Sequence, residues 1–462
     1  MLRASMKETA ISIAAELKAT LKLAGPIVVG QVGHMSMGLV DTLVAGHIST
    51  TALAGLGLAS NFFWTFTTIC SGALLAFDTY FSQAIGAGDE RRLSDYFGQS
   101  LWCCIIVCAV SLVFLVAGDL AYMGWGPLTP TREAFGEYLR TILWCVPSLF
   151  FFFILQRYWQ ARHVVVPFVV IIVAANGLNL AACLALGLGE WGFPRLEVRG
   201  LALATVISRY AMLVAAMVFT WVKMGGRCWV LPRIRWSEQG RFFRLGLPAA
   251  SHTALEIGAF TIATFVVASL GAVPLAAHHI TLMMAAFTFM FPLGFSSAAA
   301  VRVGTFIGAR QPQRARMAGW LCIGLSVAVM SGFALIYLIV PRLLLGSFTN
   351  DPGVITLGVR ILLIVALFQI GDGIQVSTTG ALRGLGNTRA AMIANLIGHY
   401  PIGLSLGLLL CFKFGFGVVG LWMGLAMGLV SVATLLLRVW VRETRDLSQV
   451  RPVGMEEAAV RE

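Results

Sequence analysis

Three carboxylates stand where a carboxylate is costly: Asp41, Glu256 and Asp372 each interrupt a long apolar stretch. At the centre of a membrane helix an ionised acid costs roughly 2.5–3.5 kcal/mol or more, so each needs a partner or a task. Pairing with a buried arginine is one solution. Exchange is the other: a carboxylate held away from water is relieved by a proton, a sodium ion or a cationic solute, and binding of one disfavours the next. Such competition is the chemistry of counter-transport. Asp78 lies nearer the end of its stretch, where a cap or loop contact is equally suitable, and Glu137 opens a helix, where a negative charge is welcome.

Weaker polar signals surround the three acids. Asn176 and Asn179 interrupt one apolar run and can either hydrogen-bond a protonated Asp41 or join two helices. His34 lies two turns before Asp41 and His252 one turn before Glu256, so each can share a helix face with its acid. Gln375 follows Asp372 by three residues, and His279 and Tyr400 suit either a cleft wall or simple packing. No catalytic-zinc pattern, Walker lysine motif, nucleophile elbow or kinase signature is present, so no enzymatic activity and no cofactor are expected. Glu256 and Asp372 become metal ligands only if the coupling ion is sodium rather than the proton. The nine cysteines fall in apolar runs without zinc spacing and read as packing residues.

The elements that must carry these residues are membrane helices. Of 462 residues, 58% are hydrophobic and only 12% charged, and mean hydropathy is +0.85. That excludes a multidomain soluble enzyme, a disordered chain and a disulfide scaffold. About twelve runs are long enough to cross a bilayer: 23–45, 52–82, 98–118, 137–157, 164–186, 199–222, 245–269, 273–307, 317–340, 355–380, 389–411 and 415–439. The net charge of +12 does not signal nucleic acid, because its distribution follows the loops. With a cytoplasmic N-terminus, 24 Lys and Arg fall on the cytoplasmic side and five on the other, so both termini are expected in the cytoplasm. No cleavable signal is expected before the first run, since Glu8, Glu16 and Lys18 break the leading stretch.

The chain also repeats itself. An offset of 222 aligns Pro26 with Pro248, Thr42 with Thr264, Gly72 with Gly294, Ile85-Gly86-Ala87 with Ile307-Gly308-Ala309 and Arg92 with Arg314. Farther on an offset of 220 aligns Arg140 with Arg360 and Gly200-Leu201 with Gly420-Leu421. Two six-helix halves of like orientation follow, because six is even. The expected fold class is an all-α polytopic membrane protein of about twelve helices in two lobes around a central cleft. Its divisions are a lead-in at 1–22, an N-lobe at 23–222, a basic connector at 223–244, a C-lobe at 245–439 and a polar, disordered tail at 440–462.

At this level of detail the chain resembles the multidrug and toxic compound extrusion (MATE) family, in its NorM-like branch. The matching stretches include Asp41-Thr42-Leu43-Val44-Ala45-Gly46, Phe77-Asp78-Thr79-Tyr80-Phe81-Ser82-Gln83-Ala84-Ile85-Gly86-Ala87 and Leu247-Pro248 ahead of Glu256. They continue with Ala276-Ala277-His278-His279-Ile280, Pro292-Leu293-Gly294, Val301-Arg302-Val303-Gly304 and Ala381-Leu382-Arg383-Gly384-Leu385-Gly386-Asn387-Thr388-Arg389 after Asp372. The resemblance implies a V-shaped antiporter that expels organic cations in exchange for protons or sodium ions. It implies coupling at Glu256 and Asp372 in the second lobe and at Asp41 in the first. Three departures stand out: Asn176 and Asn179 are three apart rather than four, His279 replaces a usual Gln, and Ser405 stands where proline is common. A lipid-linked oligosaccharide flippase of the same superfamily is the alternative, but it would need several cleft arginines, whereas the intramembrane charge here is mainly acidic. A monomer in the inner or plasma membrane is expected, with small organic cations and lipids as partners and no nucleic acid.

Overall fold

The computed structural model describes residues 2–126, 129–224, 232–445 and 452–453; the side chains of residues 2–12 and Trp125 lie outside the description. Parts of the expected connector (225–231) and tail (446–451 and 454–462) are likewise outside it. Every regular element among the described residues is helical. Eleven helices are long and apolar enough to cross a membrane, and a bent pair supplies a twelfth, so the protein is an integral multi-pass membrane protein.

In chain order the helices of the first repeat are α1 (Leu2–Ile48), α2 (Thr50–Leu74), α3 (Ala76–Gly86), α4 (Glu90–Trp125), α5 (Pro130–Ile142), α6 (Cys145–Ala161), α7 (Val166–Ala182) and α8 (Glu197–Met224). Those of the second are α9 (Trp236–Ala268), α10 (Ala272–Gly308), α11 (Pro312–Ile339), α12 (Pro341–Gly346), α13 (Pro352–Leu385), α14 (Arg389–Ile397), α15 (Ser405–Leu408) and α16 (Gly417–Glu443). The repeat read from sequence reappears in helix starts. The 222-residue offset carries Thr50 onto Ala272, Glu90 onto Pro312 and Pro130 onto Pro352, and the 220-residue offset carries Glu197 onto Gly417.

Starts are set by local chemistry. Ser49 accepts from the Ala52 amide at 3.0 Å, Asp89 from Arg92 at 3.0 Å, and Asp351 from Gly353 at 2.7 Å. Proline occupies the first turn of α5, α11 and α13, where its missing N–H costs nothing. Breaks were harder to foresee. The expected span 52–82 divides at Leu75 into α2 and α3, and the span 137–157 is a pair, α5 and α6, bent by 47°. In the eleventh span the widened backbone, π-helical over Gly398–Leu404, contains Pro401; four residues on, Ser405 only returns its hydroxyl to the Tyr400 carbonyl at 3.3 Å.

The chain divides into two compact units. One comprises Met1–Val28, Asp78–Gly88 and Ser251–Glu462, the other Val29–Phe77 and Asp89–Ala250. In the first unit α10 meets α13 backbone to backbone: a Cβ at Gly384 would sit 2.7 Å from the Ala300 carbonyl oxygen. Outward faces are apolar instead. Val166, Val170 and Val173 form an exposed i, i+4, i+7 stripe on α7, and Val113, Phe114 and Leu120 are exposed on α4, as lipid contact requires.

Two polar ties brace the first unit. Glu16, 3% exposed, is ion-paired to Arg302 of α10, with Arg314 of α11 3.9 Å away. Asp78 of α3 meets Arg383 of α13 at 3.2 Å, and Thr79 and Gln83 donate to the Arg383 and Gly384 carbonyls at 2.5 and 3.0 Å. A third tie is neutral. Trp422 donates its indole N–H to His278 Nδ1 at 3.1 Å, which leaves the hydrogen on Nε2, 2.9 Å from the Thr264 hydroxyl.

Two stability predictions follow from these ties. Arg302→Leu strands a buried acid and is expected to cost roughly 3 kcal/mol; Glu16→Leu combined with Arg302→Leu should restore much of the loss, measured by thermal unfolding in detergent. Trp422→Phe leaves His278 Nδ1 buried without a donor and should cost about 1–3 kcal/mol in the same assay, whereas His279→Phe, at an exposed position, should be nearly silent.

Candidate functional site

Asp41 is carried by α1, and it is 3% exposed. Three neutral donors converge on its carboxylate. The Thr205 hydroxyl of α8 donates to Oδ2 at 2.6 Å, the Tyr138 hydroxyl of α5 approaches the same oxygen at 3.4 Å, and the Cys183 thiol approaches Oδ1 at 3.3 Å. Cys183 opens the π-helical turn Cys183–Leu188 that ends α7. The widened turn re-aims side chains relative to a regular helix. Asn179 lies beside the same carboxylate and donates to the Thr205 hydroxyl at 3.3 Å.

Asn176 takes the other role open to it. Its amide donates to the Gly33 carbonyl of α1 and the Ile172 carbonyl of its own helix, both at 2.9 Å, and so joins α7 to α1 rather than touching Asp41. His34 likewise has its partner on α8 rather than at Asp41. Its Nδ1 accepts from Arg209 Nη1 at 2.9 Å, a contact that gives the ring its hydrogen on Nε2.

The second constellation belongs to α9, α13 and α14. Gln375 of α13 donates to Glu256 Oε1 of α9 at 3.1 Å and lies 3.4 Å from Asn395 Oδ1 of α14. His252, one turn before Glu256, places Nε2 3.6 Å from its Oε2. Asp372, one turn before Gln375, is 2% exposed. His399 is fully buried with both ring nitrogens unpartnered. Tyr400 packs outside this group, its hydroxyl donating to the Leu255 carbonyl at 3.2 Å. His279 is exposed, and its neighbour His278 holds the buried position.

The buried acids thus divide into two sets. Glu16, Asp78 and Asp119 each have an arginine, the last pairing with Arg140 at 2.9 Å. Asp41, Glu256 and Asp372 make no ion pair with an arginine among the described residues: hydroxyl and thiol groups hold Asp41, and an amide and an imidazole stand at Glu256. Neutral donors support a carboxylate without cancelling its charge, so the site keeps an affinity for a cation. No group of three His, Cys, Asp or Glu with metal-holding geometry occurs among the described residues. A sodium ion at Glu256 and Asp372 would have to draw further oxygen ligands from amides, hydroxyls or water.

Several members of these constellations carry no signal in sequence. Tyr138, Cys183 and Thr205 are ordinary residues of membrane helices, and only packing brings them to Asp41, whereas Asn395 and His399 interrupt an apolar run as Asn176 and Asn179 do and were open to the same reading. Arg157, expected in a loop, lies inside α6 and is 5% exposed, because that helix continues to Ala161.

Relatives of known sequence agree with this architecture. The MatE family profile matches residues 26–184 and 248–409, one match in each repeat. A protein of Deinococcus radiodurans named probable multidrug resistance protein NorM is 35% identical over 456 residues, covering 94% of this chain and 97% of its own. A protein of the same name from Mesorhizobium japonicum is 33% identical over 444 residues, covering 93% and 94%. Among solved structures, the Vibrio cholerae MATE transporter VcmN in the bent form superposes with a TM-score of 0.82 at 18% identity, covering 94% of this chain and 98% of that one. The eukaryotic MATE transporter AtDTX14 gives 0.82 at 21% identity with the same coverage. With family profile, long relatives and fold in agreement, the chain belongs to the MatE family of membrane transporters, in company with its NorM proteins.

Proposed function

We propose that the protein is a secondary active exporter that moves organic cations, drugs among them, out of the cell in exchange for protons or sodium ions. One observation carries this reading: buried Asp41 and Asp372 and half-buried Glu256 make no ion pair with an arginine among the described residues, while buried Glu16, Asp78 and Asp119 each have one. Structural acids in this chain are neutralised permanently. The three others are left to be neutralised by what passes. The multidrug resistance name of the relatives supports the substrate class.

In this mechanism an inward coupling cation and an outward organic cation compete for the same carboxylates. The two repeats rock about their common axis and open the sites to one side at a time. Thr205, Tyr138 and Cys183 keep Asp41 oriented through its changes of partner, and Gln375 does the same for Glu256. The coupling ion is the only added component, and the exporter works as a monomer embedded in lipid. It resides in the inner or plasma membrane with both termini in the cytoplasm, in keeping with the bias of basic residues among its loops.

In proteoliposomes, Asp41→Asn, Glu256→Gln and Asp372→Asn are each expected to reduce ion-driven efflux of a fluorescent organic cation to the level of empty liposomes while the purified proteins remain monodisperse. Undiminished efflux in all three would refute the proposal. Imposing a pH gradient and then a sodium gradient identifies the coupling ion. Thr205→Val, which removes one hydrogen bond to a charged group, should slow efflux by roughly tenfold, and an unchanged rate would remove Thr205 from the site.

A further inference from the structure

Helices α11 and α16 meet at a glycine. Trp440 of α16 is fully buried against Gly319 of α11, where any Cβ would collide with the indole. Pro312 opens α11 and Glu443 closes α16, so this contact lies near one end of both helices, at the same face of the membrane. Beside it runs a groove of about 590 Å³. Trp320 of α11 forms one wall, and Leu437, Arg438, Val441, Arg442 and Arg445 line the other. The three arginines recur at i, i+4 and i+7 and so share one face over two turns, roughly 10 Å. All three are exposed, and none makes an ion pair among the described residues. Glu443, the acid next to Arg442, accepts instead from the Asn387 amide at 3.2 Å.

The groove is therefore cationic along its rim and apolar along its floor, where Leu437 and Val441 are half-buried and Trp320 is 38% exposed. A general preference for basic residues at one membrane face does not account for it, because the first repeat lacks it. The 220-residue offset places exposed Val218 and Val222 where Arg438 and Arg442 stand. The 222-residue offset places Gly98 where Trp320 stands, and there the chain covers the position itself: a Cβ on Gly98 would lie 2.8 Å from Pro232. In the second repeat that place is left open to lipid. We propose that the groove between α11 and α16 is a binding site for an anionic phospholipid. Arg438, Arg442 and Arg445 hold the phosphodiester through charge-assisted hydrogen bonds, and Trp320, Leu437 and Val441 carry the start of an acyl chain. A free phosphate would leave the apolar floor unused. The site involves none of the three exchangeable acids, so it does not depend on the export reading.

The test titrates the full-length protein in neutral maltoside micelles with a short-chain fluorescent phosphatidylglycerol and with the matching phosphatidylcholine, read by anisotropy. The wild type is expected to bind phosphatidylglycerol about tenfold or more tightly than phosphatidylcholine. Arg442→Gln should weaken phosphatidylglycerol about fivefold, and Arg438→Gln, Arg442→Gln and Arg445→Gln combined should weaken it by about tenfold or more, with phosphatidylcholine unchanged. Removing the same charge elsewhere, by Lys22→Gln, Arg91→Gln and Arg310→Gln combined, should leave binding within about twofold of wild type. Unchanged binding in the groove variant, or equal loss in the two triple variants, overturns the site, the latter because a diffuse surface potential answers to any cation. Two further outcomes are read on the wild type alone. Equal affinity for the two lipids overturns the site, and so does equally strong competition by glycerophosphoglycerol, the headgroup without its acyl chains, since the occupant would then be a free phosphodiester.

Discussion

The constraint on which this structure turns is the neutralisation of charge where water is scarce. A helix bundle in lipid satisfies its backbone within each helix, but a side-chain charge must find its opposite within reach. Glu16, Asp78 and Asp119 do so with Arg302, Arg383 and Arg140. These pairs tie α1, α3 and α4 to their neighbours and fix the bundle. Asp41 and Glu256 follow the opposite rule, with neutral hydroxyl, thiol and amide donors in place of an arginine partner. One chain thus holds both acids with an arginine partner and acids held by neutral groups.

The two repeats solve the second task with different chemistry. In the first, a single carboxylate is held by hydroxyls and a thiol, with a buried guanidinium one helical turn along α8. In the second, two carboxylates share their surroundings with Gln375, Asn395, His252 and His399. Gene duplication has preserved the helix starts at offsets of 222 and 220 residues while the sites diverged.

The twelve spans were legible because each requires an unbroken apolar run and each basic loop marks an end. The break at Leu75 was not, since no proline stands near it, whereas the one between α5 and α6 has its signal in Pro147, whose missing N–H leaves the Leu143 carbonyl without a helical partner. Asp41, Glu256 and Asp372 were visible as anomalies of cost, and Asp372 brought Gln375 with it by helical spacing. Neither Thr205 nor Cys183 is anomalous in a membrane helix, so their convergence on Asp41 depends on packing that no local pattern encodes. His34 shows the limit of face arguments. It shares a face with Asp41, yet its partner comes from α8, because the neighbouring helix presents a stronger donor.

The most direct test of the central claim is a count of cations displaced when an organic cation binds. With purified protein in weakly buffered detergent solution, a pH-sensitive dye reports protons released on addition of a saturating organic cation, and a parallel titration asks whether sodium competes. Proton release, or competition by sodium, is expected in the wild type and should be lost when Asp41, Glu256 and Asp372 are all neutralised. Tight binding of the organic cation with no proton released and no competition by sodium would contradict the claim.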